Sequence, residues 1–166
     1  MAKDSSFDVV SEVDLQEVDN AWQQTRKELM QRYDLKDSKA TLDFDKTKGQ
    51  FTLSAPSEFV AQQVMDVLNT KLVRRSIDLK SLKWGQPEAA HGMTVRFHGE
   101  VVAGIDKELA SRISKDVRDL KLKNTKVQVE GEKLRVFSAS RDSLQEVITF
   151  LKEQDYGQPL QYNNYR

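Results

Sequence analysis

At the start of the chain Phe7, Val9, Ser11 and Val13 alternate with Asp8, Val10 and Glu12, a period of two rich in β-branched residues that predicts a strand. Asp14 with Glu17 three residues later has the pattern of a capping box, in which an acidic side chain accepts from the open amides of a first helical turn. Leu15, Val18, Trp22, Leu29 and Tyr33 then recur on one face, predicting a helix over about residues 15–34. Leu42 and Phe44 alternate with Thr41, Asp43 and Asp45, while Phe51, Leu53 and Ala55 alternate with Gln50, Thr52 and Ser54. With Lys46–Gly49 between them, the two runs predict a hairpin. Pro56 suits the first turn of a second helix, whose apolar stripe is Phe59, Val60, Val64, Val67, Leu68 and Leu72. A short strand is expected between Leu79 and Trp84.

Gly85–Gly92, which holds Pro87 and two glycines, reads as a linker. Beyond it the series repeats. Val95 and Phe97 alternate with Thr94, Arg96 and His98, and Ile105, Leu109, Ile113, Val117 and Leu120 form a helical stripe. Val127 and Val129 lead into a turn at Glu130–Glu132, and Leu134 and Val136 alternate after it. Ser140 is a good N-cap for the stripe Leu144, Val147, Ile148 and Leu151, and Gly157 with Pro159 stops that helix before a last strand through Tyr162. Matching elements lie roughly 85–90 residues apart, an internal repeat of element order. The pattern predicts an α+β chain made of two βαββαβ units, each a four-stranded sheet with two helices on one face. The bare face of the first sheet would carry Thr41, Asp43, Asp45, Gln50, Thr52 and Ser54, and that of the second Lys133, Arg135 and Phe137.

Composition narrows the chemistry. With 166 residues, 38% hydrophobic and 31% charged, the chain can fill a core and lacks the signature of disorder. No run is long and apolar enough for a membrane span, no secretory signal is visible in Met1–Asp8, and a reducing, cytoplasmic setting is expected. The absence of cysteine removes disulfides, thiolate metal sites and a cysteine nucleophile. Lys plus Arg and Asp plus Glu both total 26, so any polyanion site must be a local patch rather than a whole-molecule field.

Catalysis finds little support. His91 and His98 have no companions at metal-ligand spacing, and neither a glycine-rich phosphate loop nor a nucleophile elbow is present. Asp43 and Asp45 share a strand face, but as solvated charges beside a turn they need no catalytic role. The chain is expected to be no enzyme and to need no cofactor or metal.

Binding signals are better. Arg112, Lys115, Arg118, Lys121, Lys123 and Lys126 stand against Asp116 and Asp119 in one short stretch, and Lys71, Arg74 and Arg75 cluster at the end of the second helix. Such cations can contact phosphate or simply complement the helix dipole. Arg135 and Phe137 fall on one strand face, where a ring could stack on a base while a guanidinium meets phosphate. Arg141 follows at a helix start, where free amides favour an anion. Trp84 is a further stacking candidate, whereas Trp22 lies on a core stripe. Lys48-Gly49-Gln50-Phe51-Thr52-Leu53 begins like the signature of RNA-recognition motifs, yet Gln50 and Thr52 stand where exposed rings belong.

The ends of the chain are more specific. Ser6-Phe7-Asp8-Val9-Val10-Ser11-Glu12-Val13-Asp14 and Gly157-Gln158-Pro159-Leu160-Gln161-Tyr162-Asn163-Asn164-Tyr165-Arg166 strongly resemble the bacterial YajQ family. Lys71-Leu72-Val73-Arg74-Arg75, Gly104-Ile105-Asp106, Lys121-Leu122-Lys123 and Ser140-Arg141-Asp142-Ser143-Leu144-Gln145 agree in the same order. Phe137-Ser138-Ala139 departs from it, with Ala139 in place of the family's common lysine. The resemblance implies a tandem of two ferredoxin-like domains with exchanged N-terminal strands. Residues 14–92 would form the first and take strand 93–101, and residues 102–166 would form the second and take strand 6–13. It also implies binding of a nucleotide or RNA, with tRNA, GTP and cyclic di-GMP as candidates, and action through a transcriptional regulator. On this reading Lys71, Arg74, Arg75, Lys121, Lys123, Arg135 and Arg141 contact phosphate while Phe137 or Trp84 stacks on a base. The alternative is an adaptor that docks a transcriptional regulator or polymerase through its polar sheet face or acidic N-terminal segment.

Overall fold

The computed structural model describes residues 4–166. The described residues form, in chain order, β1 (Ser5–Val10), α1 (Leu15–Gln31), β2 (Thr41–Asp45), β3 (Gln50–Ala55), α2 (Glu58–Arg74), β4 (Leu82–Trp84), β5 (Glu88–Ala90), β6 (Thr94–Val101), α3 (Lys107–Asp119), β7 (Thr125–Glu130), β8 (Lys133–Ser138), α4 (Arg141–Glu153) and β9 (Gln161–Asn163). They gather into two compact units. One is the continuous stretch Val13–Val102, and the other joins the chain up to Glu12 to Ala103–Arg166. Along the sequence, the continuous unit is therefore an insertion between β1 and α3 of the discontinuous one.

Each unit has a sheet of ferredoxin-like order with two helices behind it. The strands of the continuous unit run β2-β3-β6-β4, with β5 also paired to β6, and those of the discontinuous unit run β7-β8-β1-β9. All the pairings are antiparallel. In both sheets an interior strand comes from far along the chain. β1 pairs with β8 and β9 rather than with the hairpin that follows it, and β6 lies beside β3. Periodicity marks which residues are extended but carries no information about their partners, so the order read along the chain does not give the sheets.

The helix caps follow the sequence and the stripes depart from it in places. Asp14 accepts from the amides of Gln16 and Glu17, at 3.0 and 3.4 Å. Behind it α1 buries Val18, Ala21, Thr25 and Leu29, the Thr25 hydroxyl being satisfied by the Ala21 carbonyl at 2.8 Å. Because α1 stops at Gln31, Tyr33 falls past the cap and is 89% exposed instead of joining the core. Pro56 falls before the first turn rather than in it, because α2 starts at Glu58 behind Ser57, whose hydroxyl accepts from the Val60 amide at 3.2 Å. Its buried face is Ala61, Val64, Met65, Val67, Leu68 and Leu72. Phe59 sits two residues before Ala61, nearly opposite that face at about 100° per residue, and is 73% exposed.

Gly85–Gly92 is not a linker. The Gly85 amide donates to the His98 carbonyl at 2.8 Å, and Glu88–Ala90 then pairs with Thr94–Arg96. The segment thus lies along β6 and reverses through a short 3₁₀ turn at His91–Met93. Its glycine and proline mark the gap between two short strands, while the boundaries of the units fall after Glu12 and after Val102.

On the helix side of the continuous unit's sheet, a chain of rings spans the core. Trp22 and Phe44 have centroids 6.1 Å apart, Phe44 and Phe51 stack at 4.4 Å, and Phe51 and Trp84 follow at 6.0 Å. Phe51, Gly99 and Trp84 occupy one cross-strand row. The Trp84 ring lies over Gly99 so closely that a Cβ there would come within 2.8 Å of it. Trp84 is thus held by packing, and the Trp22 indole donates to the Leu42 carbonyl at 2.7 Å.

In the discontinuous unit Phe7 and Val9 are fully buried on the helix side of β1. Asp8, on the opposite side, is only 2% exposed. The Asp8 carboxylate accepts from Arg135 Nε at 2.9 Å, Asn164 Nδ2 at 2.9 Å and Lys133 Nζ at 3.4 Å. Arg135 also meets Glu130 at 3.4 Å. Burial pushes the Asp8 carboxyl up, but the hydrogen bonds from Arg135, Asn164 and Lys133 outweigh it and hold it at about 2.

Two predictions follow from these contacts. Asp8 has a depressed pKa when folded, so its contribution is complete above the ordinary value of 3.8 and is lost as pH falls toward about 2. Urea midpoints measured across this window should fall by on the order of 2 kcal/mol of stability, and Asp8→Asn should flatten that slope while lowering stability at neutral pH. Gly99→Ala should displace the Trp84 ring and destabilise the chain by about 1–3 kcal/mol, read by denaturant titration and a changed near-ultraviolet dichroism.

Candidate functional site

The cations singled out in the sequence are divided between the two units. Lys71, Arg74 and Arg75 belong to the end of α2 in the continuous unit, whereas Lys121 and Lys123 follow α3 in the other. Lys71 is paired with Glu28 and Arg75 with Glu17, both at 3.0 Å. Arg135 is committed to Asp8, whose hydrogen bond raises the guanidinium's pKa further above its ordinary value. Phe137 is half-buried opposite Ser6 and Lys126 on that side of the sheet. Trp84 packs on Gly99. Arg141 alone of the group beside α4 lines a hollow.

That hollow, about 380 Å³, is built by the start of α4 on one side and by β1 and the last residues on the other. The Ser138 hydroxyl accepts from the Ser140 amide at 3.1 Å, and the Ser140 hydroxyl accepts from the Ser143 amide at 3.2 Å, so α4 begins at Arg141. Arg141, Leu144, Gln145 and Ile148 are spaced as one helical face, with Leu144 and Ile148 buried as its apolar floor. The opposite wall depends on reciprocal backbone hydrogen bonds between Ser6 and Arg166, at 3.1 and 3.0 Å. They carry the chain past β9 and alongside β1. Tyr165 rests against Phe7, with centroids 6.1 Å apart, and is 64% exposed.

The lining includes two arginines, Arg141 and Arg166, and no Asp or Glu side chain. Neither guanidinium has an ion-pair partner among the described residues. The volume lies within the roughly 300–1,000 Å³ of small-molecule sites. An apolar floor with an exposed ring suits a planar group, and unpaired guanidiniums suit phosphate or carboxylate oxygens. Tyr165 and Arg166 are absent from the residues picked out by the sequence. They belong to the C-terminal stretch that carries the resemblance, but nothing in its spacing says that residue 166 returns to residue 6.

The open face of the continuous unit's sheet is polar. Asp43 is paired across from Thr52 and His98, and Asp45 from Gln50 and Glu100, so that the His98 imidazole is the one ring in these two rows. His98 lies 3.5 Å from Glu88. Among the described residues no helix is long and apolar enough to cross a membrane, and no group of three or more His, Cys, Asp or Glu could hold a metal ion.

Known proteins resemble the chain from end to end. It is 44% identical over 166 residues to a nucleotide-binding protein of Chloroherpeton thalassium, with 100% of each chain covered. Identity is 47% over 161 residues to one of Magnetococcus marinus, covering 97% of this chain and 98% of that protein. With one of Nocardia farcinica it is 46% over 163 residues, covering 98% and 99%. The family described as nucleotide-binding protein YajQ-like matches residues 5–166. With almost its whole length matched in this way, the chain belongs to the YajQ family.

Proposed function

We propose that the chain binds a nucleotide, without turning it over, in the hollow between α4 and the Ser6–Arg166 bridge. The observation that carries this reading is the convergence of two unpaired guanidiniums and an exposed ring over an apolar floor. Arg141 and Arg166 take phosphate oxygens, Tyr165 meets the base or sugar, and the Leu144–Ile148 floor excludes water. The lining contains no Asp, Glu, His or Cys side chain to act as a general base, which supports binding rather than catalysis. The printed names of the relatives support the same ligand class. GTP, cyclic di-GMP and a single-stranded segment of RNA or tRNA all present a base beside anionic oxygens, and are the candidates.

A regulatory role through a transcriptional regulator is compatible with this site. The open face of the continuous unit supports a protein contact more readily than base stacking, because its rows carry no Phe, Tyr or Trp and their one ring, the His98 imidazole, lies 3.5 Å from Glu88. Recovery of one regulator or polymerase from lysate after nuclease treatment would identify that partner.

Calorimetric titration at low salt against GTP, cyclic di-GMP and tRNA should show saturable binding to at least one. Tyr165→Ala should weaken it by about 1–3 kcal/mol, the range for loss of a stacking ring, and Arg141→Ala by a similar amount with a shallower salt dependence. No saturable binding to any of the three would overturn the proposal.

A further inference from the structure

A second hollow lies wholly within the continuous unit, between α1 and the end of α2, and its chemistry differs from the first. It measures about 590 Å³ and brings together Lys27, Lys71, Arg74 and Arg75 with Glu17 and Glu28. Gln24 and Gln31 complete its wall. Neither an aromatic ring nor an apolar side chain lines it. The two carboxylates are already committed, Glu28 to Lys71 and Glu17 to Arg75. Lys27 and Arg74 have no ion-pair partner among the described residues, and Arg75 Nε is a buried donor without an acceptor.

Tying α1 to α2 explains two of these four cations and leaves two. Lys27 and Arg74 are exposed, and like charges gathered in one hollow raise the local concentration of anions there. Guanidinium and ammonium donors together with carboxamide N–H groups match the oxygens of a phosphate. We infer that the α1–α2 groove is a second site, for a dianionic phosphate group, formed by Lys27, Arg74 and the Arg75 guanidinium. Glu28 competes with the ligand for Lys71. The absence of a ring or apolar floor means that the site reads the phosphate and not the base attached to it, which separates it from the hollow at α4.

The probe is inorganic pyrophosphate, titrated calorimetrically into the full chain at low ionic strength. Saturable binding is expected. It should weaken at least tenfold in Lys27→Gln/Arg74→Gln and tighten several-fold in Glu28→Gln, which frees Lys71, with circular dichroism establishing that each variant is folded. Competition by GTP or by single-stranded RNA would assign the group to a nucleotide or to a nucleic-acid backbone, and competition by neither would assign it to the free anion. No saturable binding to the wild-type chain, wild-type affinity in the double variant, or no tightening in Glu28→Gln would overturn the inference.

Discussion

A carboxylate buried on an interior strand is tolerable only if its charge is answered on the spot, and Asp8 sets that condition for the discontinuous unit. Arg135 and Lys133 reach it from β8 and Asn164 from just beyond β9, so one side chain links β1 to its neighbours on both sides. The same strand presents Phe7 and Val9 to the core on its other face. With β1 fixed there, Ser6 is placed to pair with Arg166, and that pairing completes the wall of the hollow. The candidate site therefore inherits its geometry from an ion cluster that takes no part in it.

The points where the continuous unit leaves and rejoins the other are tied together. The Ser11 carbonyl accepts from the Gly104 amide at 2.6 Å. Gln158 Nε2 donates to the Ser11 hydroxyl at 2.8 Å and to the Gly104 carbonyl at 2.7 Å, and the Ser11 hydroxyl donates to the Pro159 carbonyl at 2.7 Å. Gly104 has a φ of +81°, and a Cβ there would come within 2.7 Å of the Glu132 carboxylate. The positive φ favours glycine, and a larger residue would also have to push the flexible Glu132 side chain aside. Along the sequence an insertion of some ninety residues is thus gathered back to the place it left, as chain-closure considerations favour.

Local physics made much of the architecture readable. Asp14 and Ser140 cap the helices they should, and Gln50–Ala55 keeps the alternation its residues predict. Errors arise where a local rule meets a boundary or a distant partner. Tyr33 keeps helical spacing after the helix has ended, Phe59 lies on the wrong side of its first turn, and Gly85–Gly92 has linker composition within a strand pair. In the site, Arg141 is legible from the helix start. The pairing of Arg135 is hidden because its carboxylate partner lies 127 residues away, and Tyr165 and Arg166 become visible only once residue 166 is known to return to β1. Ion pairing and pocket walls are set by tertiary contacts that no periodicity encodes.

The pairing of β1 also bears on synthesis. Its partners Leu134 and Tyr162, opposite Val9, follow it along the chain only after the whole of Val13–Val102. The segment Ser5–Val10 is made before all of these partners, and the elements α1 to β6 lie between it and them along the chain. Throughout that interval two hydrogen-bonding edges and the Phe7 and Val9 side chains stay available to wrong neighbours. A charge within a strand opposes edge-to-edge pairing, and Asp8, whose partner Arg135 lies far along the chain, is a charge of that kind.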